Sequence, residues 1–549
     1  MMRGSWFVAF GLGALVLYAL LAACNMFWGD LNQDEGWYLY TAGLVRDGHV
    51  PYRDFAFTQG PVMPYAYAWA YRWVDRWGVL GGRFFTAVLG GLAALGAVWL
   101  AGRVAPPGQR AAAGLLALML LAGNVYQSYF TTVVKTYALS SLWLVAGLVA
   151  LSYTAGRVRA AAAFAAGVLL ALSAGTRLSA GAALPVAGLF LLLQRRRLGH
   201  APWLLFGIGA TLTLAGMALP FAWCAPEGFR FGLLEYHSAR APGSLQQLLV
   251  FKAGFVSRLV QAYFFPLLLG AGLLGLRWIA PAEKAGPVSS APGVPEPMAP
   301  ALWITVLAIT LVHLSAPFPY DDYQAMVFPV FAAVLAAALV RYVAEARAGA
   351  AGATIVAGAR CGDPWMAWLL ALVFAGSLFS AFSSPINQDW FVLGRDRIWW
   401  RLKKQSSLQK VRDVGAWLGK NSRIGDVLLT QDTYLAVEAR LPVPLGMEMG
   451  PFSYFPDMPT DRARRLKVLN RELLVEQLAG APASLAAFSG YSLAIRSPEV
   501  APLTAGEQAD LWARVKQRYQ EFCQVPDFGQ AHTVLRLFRQ RPRQSGETP

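Results

Sequence analysis

Two adjacent carboxylates, Asp34 and Glu35, directly follow the first long apolar run of the chain. They open the stretch 31–64, LNQDEGWYLYTAGLVRDGHVPYRDFAFTQGPVMP, which also carries Arg46, Arg53, Asp47, Asp54 and several aromatics. A loop joining two membrane spans needs only polarity; this one has charge of both signs and an ordered Pro/Gly ending. A carboxylate beside a membrane can take a proton from an acceptor hydroxyl. Cations from other segments can bind a phosphate leaving group and stabilise its growing charge. Together these groups suit transfer of a group from a lipid phosphate at the membrane interface. A local reading competes. Asn32 with Glu35 three residues on reads as a capping box for a helix from about Gln33 to Arg46, with Trp37, Tyr40, Leu44 and Val45 as its apolar stripe. Acids in a first helical turn complement the macrodipole whatever else they do.

The rest of the chain decides where that stretch sits. Of 549 residues, 56% are hydrophobic and 14% charged, and the mean hydropathy is +0.42. No single water-soluble core hides that much apolar surface, and many runs approach the roughly 18–20 apolar residues that cross a bilayer. The expected fold is an α-helical polytopic membrane protein of about eleven transmembrane helices with a small α/β domain at the carboxyl end. Spans are expected at 6–28, 79–104, 111–130, 133–153, on either side of 175–178, and at 202–223, 259–279, 301–315, 324–340 and 365–382. Leu21-Ala22-Ala23-Cys24 fits a lipoprotein cleavage box, but the apolar run continues beyond it, so 6–28 reads as an uncleaved signal anchor. The segment PYAYAWAYRWVDRW, with Tyr65, Trp69 and Trp73 one helical turn apart, suits a helix at headgroup level. The Pro/Ala/Gly/Ser-rich stretch 281–300 reads as a flexible linker.

The net charge of +16 comes with no nucleic-acid motif. Its arginines fall between apolar runs, where basic residues mark cytoplasmic loops. With the amino terminus inside, Arg103/Arg110, Arg157/Arg159, Arg195–Arg197, Arg277/Lys284 and Arg341/Arg347/Arg360 are cytoplasmic. Loop one, the Lys135 turn, the Arg177 turn, the Glu235–Arg240 loop, the Asp321/Asp322 loop and everything after the last span then share the outer face. The implied location is a bacterial plasma membrane, with the carboxyl-terminal domain periplasmic or extracellular. The four cysteines have neither metal-type nor disulfide spacing.

Division near residue 384 gives a membrane module, 1–384, with its catalytic loop at 29–78, and a soluble outer-face domain, 385–549. In the latter VRDVGAWLGK, DRARRLKVLNRELLVEQLAG and GEQADLWARVKQRYQEF read as helices, and IGDVLLTQD, ASLAAFSG and HTVLRLF as strands. It contains no Gly-rich phosphate loop and no nucleophile elbow.

The DEGxY…G…PYRDF…QGP pattern after span one, the amphipathic helices beyond it, the many spans and the soluble carboxyl-terminal domain resemble the GT-C-type integral membrane glycosyltransferases. That superfamily includes the protein O-mannosyltransferases and the lipid A aminoarabinose transferase, and the pattern looks like its bacterial branch. The resemblance implies a polyprenyl-phosphate sugar as donor, inversion at the anomeric centre, and Asp34 as the catalytic acid of the pair, with Glu35 a second candidate. The acceptor would be a hydroxyl on a glycan, lipid or protein.

Donor or substrate contacts are expected from Lys135, Arg177, His237, Arg240, Arg53, Asp321 and Tyr323. Each has a bland alternative. Lys135 could snorkel at a span end. Arg53 with Asp54, and Arg46 with Asp47, could staple the loop, which their adjacency favours. A lone loop histidine is more often structural, and Asp321/Asp322 could cap the next span. Adjacent aspartates are weak metal evidence, since hard cations want several convergent oxygens; no cofactor is required by the sequence, and a divalent metal is unsupported. A lipid or sugar transporter, or flippase, would show mid-span charges and internal repeats, and neither is evident. A non-catalytic envelope assembly protein would use the outer domain for docking.

Overall fold

The computed structural model describes residues 5–238, 244–279, 294–295, 297–351, 364–383, 405–480, 482–490, 493, 503–530 and 532–542. Arg240, most of the linker expected at 281–300, and the boundary expected near 384 lie outside these residues.

Helix α1, Ser5–Trp28, is followed after a four-residue turn by α2, Gln33–Arg46. Asn32 caps α2 through the expected box: its side chain accepts from the Asp34 amide, and Glu35 Oε1 accepts from the Asn32 amide at 2.9 Å. Two short helices, Val62–Trp69 and Tyr71–Trp77, replace the single helix expected in the last part of loop one and are separated at Ala70. The chain then enters the long apolar helix Val79–Val104.

Among the described residues seven helices are long and apolar enough to cross a membrane, beginning with Trp6–Trp28 and ending with Pro364–Ala381. The span expected at 259–279 is instead part of a pair, Leu245–Ala262 and Phe264–Ile279, bent by 89°. Three expected spans are shorter apolar helices, Pro107–Ala122, Thr136–Leu151 and Leu178–Leu193. Leu12, Leu95, Trp99, Leu212, Leu274 and Phe379 are exposed along these helices. Such a surface belongs in hydrocarbon, where only helices with internally satisfied backbones are stable. The chain is a multi-pass membrane protein.

The carboxyl-terminal part forms a four-stranded sheet in the order β1-β2-β4-β3. Its strands are β1, Leu428–Thr430, β2, Leu485–Phe488, β3, Tyr519–Phe528, and β4, Thr533–Gln540. β1 and β2 are parallel, while β4 pairs antiparallel with β2 and β3. Two expectations change here. The helix read through Phe522 stops at Arg518, and Tyr519 begins β3. The helix read across 461–480 is two helices, Thr460–Leu466 and Arg471–Gly480, broken where Lys467 takes φ 58°.

This sheet does not pack by itself. One continuous apolar cluster joins Trp37, Tyr38 and Leu39 of α2 and Phe55 and Phe57 of loop one to Leu435, Met447, Leu474 and Phe538. Glu438 also reaches the membrane helix: its Oε1 accepts the Val79 amide at 2.8 Å, capping the Val79–Val104 helix. Gly78 is required there. Its φ is 63°, and a Cβ would lie 2.2 Å from the Glu438 carboxylate.

Burial pushes the Glu438 carboxyl up to about 7 and that of Glu448 up to about 8. A carboxyl raised in the folded state keeps a proton that the unfolded chain releases near pH 4.5, so its contribution to stability falls as pH rises from there towards the folded value. Thermal unfolding of the full chain in detergent is therefore expected at lower temperature near pH 8.5 than near pH 5.5. Glu448→Gln should remove roughly 1–3 kcal/mol of that loss. A Glu448→Gln chain with the unaltered pH slope would show that the carboxyl titrates normally.

Candidate active site at the end of the helical bundle

The two acids of loop one separate in space. Glu35 turns inward and has no exposed surface, like Arg83 on the Val79–Val104 helix, which grips it through Nη2–Oε1 at 2.6 Å and Nε–Oε2 at 2.7 Å. The Val134 amide donates to Glu35 Oε2 at 3.2 Å. With the cap bond to Asn32, both oxygens are occupied. Glu35 was expected beside Asp34 in the chemistry; the structure seats it behind the site.

Asp34 points the other way, and its side chain is 22% exposed. Lys135 Nζ lies 3.2 Å from its Oδ2, and Trp37 Nε1 donates to its Oδ1 at 3.3 Å. Lys135 sits in extended conformation just before the helix Thr136–Leu151. Its ammonium also contacts Asp322 Oδ2 at 2.7 Å and lies 5.1 Å from the Phe130 ring. One cation is therefore shared by carboxylates 288 residues apart in sequence, a separation read from their positions.

Arg177 ends the helix Arg159–Thr176. It lies 4.1 Å from the Tyr323 ring and 4.8 Å from the Tyr137 ring, and donates to Thr136 Oγ1 at 3.1 Å. Among the described residues its buried Nε has no hydrogen-bond partner, and the same holds for Asp322 Oδ1. Tyr38 stands among these charges: burial first, then the Asp34 carboxylate, pushes its phenol well above the ordinary range, with Arg177 and Lys135 opposing. Loop one is brought to the Arg177 turn by a backbone approach that tolerates no side chain, since a Cβ on Gly60 would lie 2.0 Å from the Gly175 carbonyl oxygen.

Of the residues expected from sequence, Asp34, Lys135, Arg177 and Tyr323 thus come together. Asp321 is displaced by one position: it binds Arg258 at 2.8 Å and the Tyr126 hydroxyl, leaving Asp322 to hold Lys135. His237 Nε2 bonds the Thr58 carbonyl oxygen at 2.9 Å and so braces loop one. Arg53 is half-exposed and pairs with Asp54 at 2.8 Å, the staple alternative. Arg83, Tyr38, Tyr137 and the pairing of Asp322 went unread. Only Arg83 carried a usable signal, as an arginine one turn inside an apolar helix. Among the described residues no group of three or more His, Cys, Asp or Glu side chains could hold a metal ion.

No family model matches the chain, and no curated protein matches its sequence. Its structure does find likenesses. The crystal structure of ArnT from Cupriavidus metallidurans bound to undecaprenyl phosphate superposes with a TM-score of 0.59 at 14% identity, covering 97% of this chain and 98% of that one. The apo structure of the same protein gives 0.58 at 15% identity, with 98% of each chain covered. This chain shares the ArnT fold. The match runs nearly end to end, so the likeness takes in the carboxyl-terminal part as well as the helical bundle, as the expected fold required.

Arg83 is expected to be indispensable for folding. Breaking a buried pair by removing one partner costs about 3–5 kcal/mol. Glu35→Ala should therefore lower the thermal midpoint sharply or abolish the monodisperse detergent-solubilised peak. A stable, well-behaved Glu35→Ala protein would contradict the buried geometry.

Proposed function

We propose that this chain is an integral membrane glycosyltransferase that moves a sugar from a polyprenyl-phosphate carrier to an acceptor hydroxyl, with inversion. The observation that carries this reading is the position of Asp34: a partly exposed carboxylate, held by Lys135, at the bundle end where the buried Nε of Arg177 has no partner among the described residues. An orphaned guanidinium N–H inside a protein is costly unless a ligand supplies the acceptor. A phosphate oxygen is the natural one. Likeness to ArnT, whose structure holds undecaprenyl phosphate, supports a polyprenyl phosphate as that ligand.

In the proposed step the acceptor oxygen attacks the anomeric carbon while Asp34 takes the hydroxyl proton. The bond from that carbon to the phosphate oxygen breaks, and the polyprenyl phosphate leaves with the electron pair. Lys135 and Arg177 stabilise the charge gathering on the phosphate. Asp322 holds Lys135 in place, and Glu35 fixes the helix on which Asp34 rides. The Tyr323 and Tyr137 rings lie 4.1 and 4.8 Å from the Arg177 guanidinium and help to hold it in place.

A transporter reading calls for charges at mid-span. The charged groups here belong to helix ends and loops instead: Lys135 before its helix, Arg177 after its own, and Asp322 in the turn 321–326. The basic loops favour placing this end of the bundle on the outer face of a bacterial plasma membrane, with the amino terminus cytoplasmic.

Transfer of labelled sugar from a polyprenyl-phosphate donor by the purified protein tests the reading. Asp34→Asn is expected to lower kcat by about 10²–10⁴-fold while the protein stays folded. Arg177→Met should chiefly weaken binding of undecaprenyl phosphate. Wild-type turnover by a folded Asp34→Asn protein would remove the assigned base.

A further inference from the structure

Where β3 gives way to β4, Gln530 and His532 reach the start of α2 and the residues just before it. The backbone there is costly. Asp527 and His532, neither a glycine, take φ of 52° and 51°, in the left-handed region, and Gly529 takes 70°. Non-glycine residues hold such angles only where surrounding contacts over-determine them.

Those contacts lead to the catalytic helix. Gln530 Oε1 accepts the amide of Gln33, one of the donors a helix leaves unsatisfied at its first turn, at 2.8 Å. His532 lies between two carboxylates, with Nδ1 2.7 Å from Asp527 Oδ1 and Nε2 3.4 Å from Asp30 Oδ2. Asp30 also accepts from Ser407 Oγ at 3.1 Å, and its carbonyl accepts from Arg83 at 3.0 Å. Lys410 holds Asp527 Oδ2 from the far side at 3.0 Å. Only the imidazolium can donate from both ring nitrogens; a neutral ring turns a lone pair towards one of the two carboxylates. Among the described residues the charged groups that contact the ring or its carboxylates are Asp30, Asp527 and Lys410, with Arg83 and its partner Glu35 one contact further along.

We propose that Gln530 and His532 form a pH-responsive clasp, acting as positioning residues that fix the first turn of α2 and so the reach of Asp34. The benefit to Asp34 rests on the function proposed above; the clasp itself does not. It is closed while His532 is protonated and loosens as the ring loses its proton.

Amide hydrogen exchange of residues 31–36 in the full-length chain in detergent micelles tests this, with rates corrected for the intrinsic effect of pH. Between about pH 5.5 and 8.5, a range that spans imidazole titration, protection is expected to fall about threefold or more, an effect on the scale of one hydrogen bond. His532→Gln should flatten that response, and Gln530→Ala should raise exchange at Gln33 at both pH values. Equal protection of wild-type residues 31–36 across the range would overturn the proposal, as would a His532→Gln chain that keeps the wild-type response. Should the His532 variant not fold, the wild-type comparison and Gln530→Ala still decide. No turnover enters the readout, so absent sugar transfer would count against the enzymatic reading alone. On that reading the pH profile of kcat should change in His532→Gln with the acceptor KM unaltered.

Discussion

The Glu35–Arg83 pair is the constraint on which the site depends. Two opposite charges with no exposed surface would each carry a desolvation cost of several kcal/mol, and only full hydrogen bonding offsets it. Arg83 achieves this by serving three elements at once. Its Nη1 donates to the carbonyls of Asn25, Met26 and Gly29, in the last turn of α1 and just past it. Its Nη2 donates to Asp30 and, with Nε, to Glu35. A guanidinium at the negative end of a helix dipole, with a carboxylate opposite, is well matched to that position. The end of α1, the start of α2 and the start of the Val79–Val104 helix are thereby fixed to one planar group. With Glu35 turned towards it, the helical pitch leaves its neighbour Asp34 facing Lys135.

That inner anchor has an outer counterpart. α2 is buried from Glu35 to Gly43, unusual for a helix with two acids in its first turn. The carboxyl-terminal part covers it closely. A Cβ on Gly36 would lie 2.4 Å from the Tyr434 amide, the Tyr40 hydroxyl accepts the Val443 amide at 2.9 Å, and Phe452 packs edge-on against Trp37 at 6.1 Å. The apolar surface that α2 and loop one present away from the membrane is removed from water by a segment nearly 400 residues later in the chain. Membrane module and soluble domain are therefore poor names for independent parts: at the Asp34 end of the bundle they share one core.

What the sequence made legible follows from how local each determinant was. Helix α2 and its cap were readable because Asn32 and Glu35 lie within one turn and bond each other. Most spans were readable from apolar length alone. The 89° bend after Ala262 was not, since an apolar run has no feature that distinguishes a straight helix from a bent pair. β3 was lost because KQRYQEF satisfies a helical period as well as a strand's, and only β4 decides between them. Lys135 and Arg177 could be nominated as cations at span ends, and Asp34 and Tyr323 on the same face, but not which group would pair with which. Asp321 and Asp322 are indistinguishable in sequence; a single turn, 321–326, sends one to Arg258 and the other to Lys135. The family resemblance singled out Asp34, while the contrast between Asp34 and Glu35 needed Arg83.

The charge balance of the cluster bears on what it can hold. Asp34 and Asp322 offset Lys135 and Arg177, so the resting site is close to neutral by count. Its charges are unevenly spread, however: Lys135 contacts both acids, whereas Arg177 contacts hydroxyl and ring faces. Coulomb energies at such distances depend strongly on how much water remains. An anion entering beside Arg177 meets the cation of the two that no carboxylate contacts among the described residues. It also competes with Asp34 for Lys135, at 3.2 Å the longer of the lysine's two carboxylate contacts. On the proposed reading, donor phosphate would then loosen the lysine's hold on Asp34 as it binds. The carboxylate would become available to a hydroxyl only once the leaving group is in place. Asp322 matters in this scheme because its 2.7 Å contact keeps Lys135 at the site when Asp34 lets go.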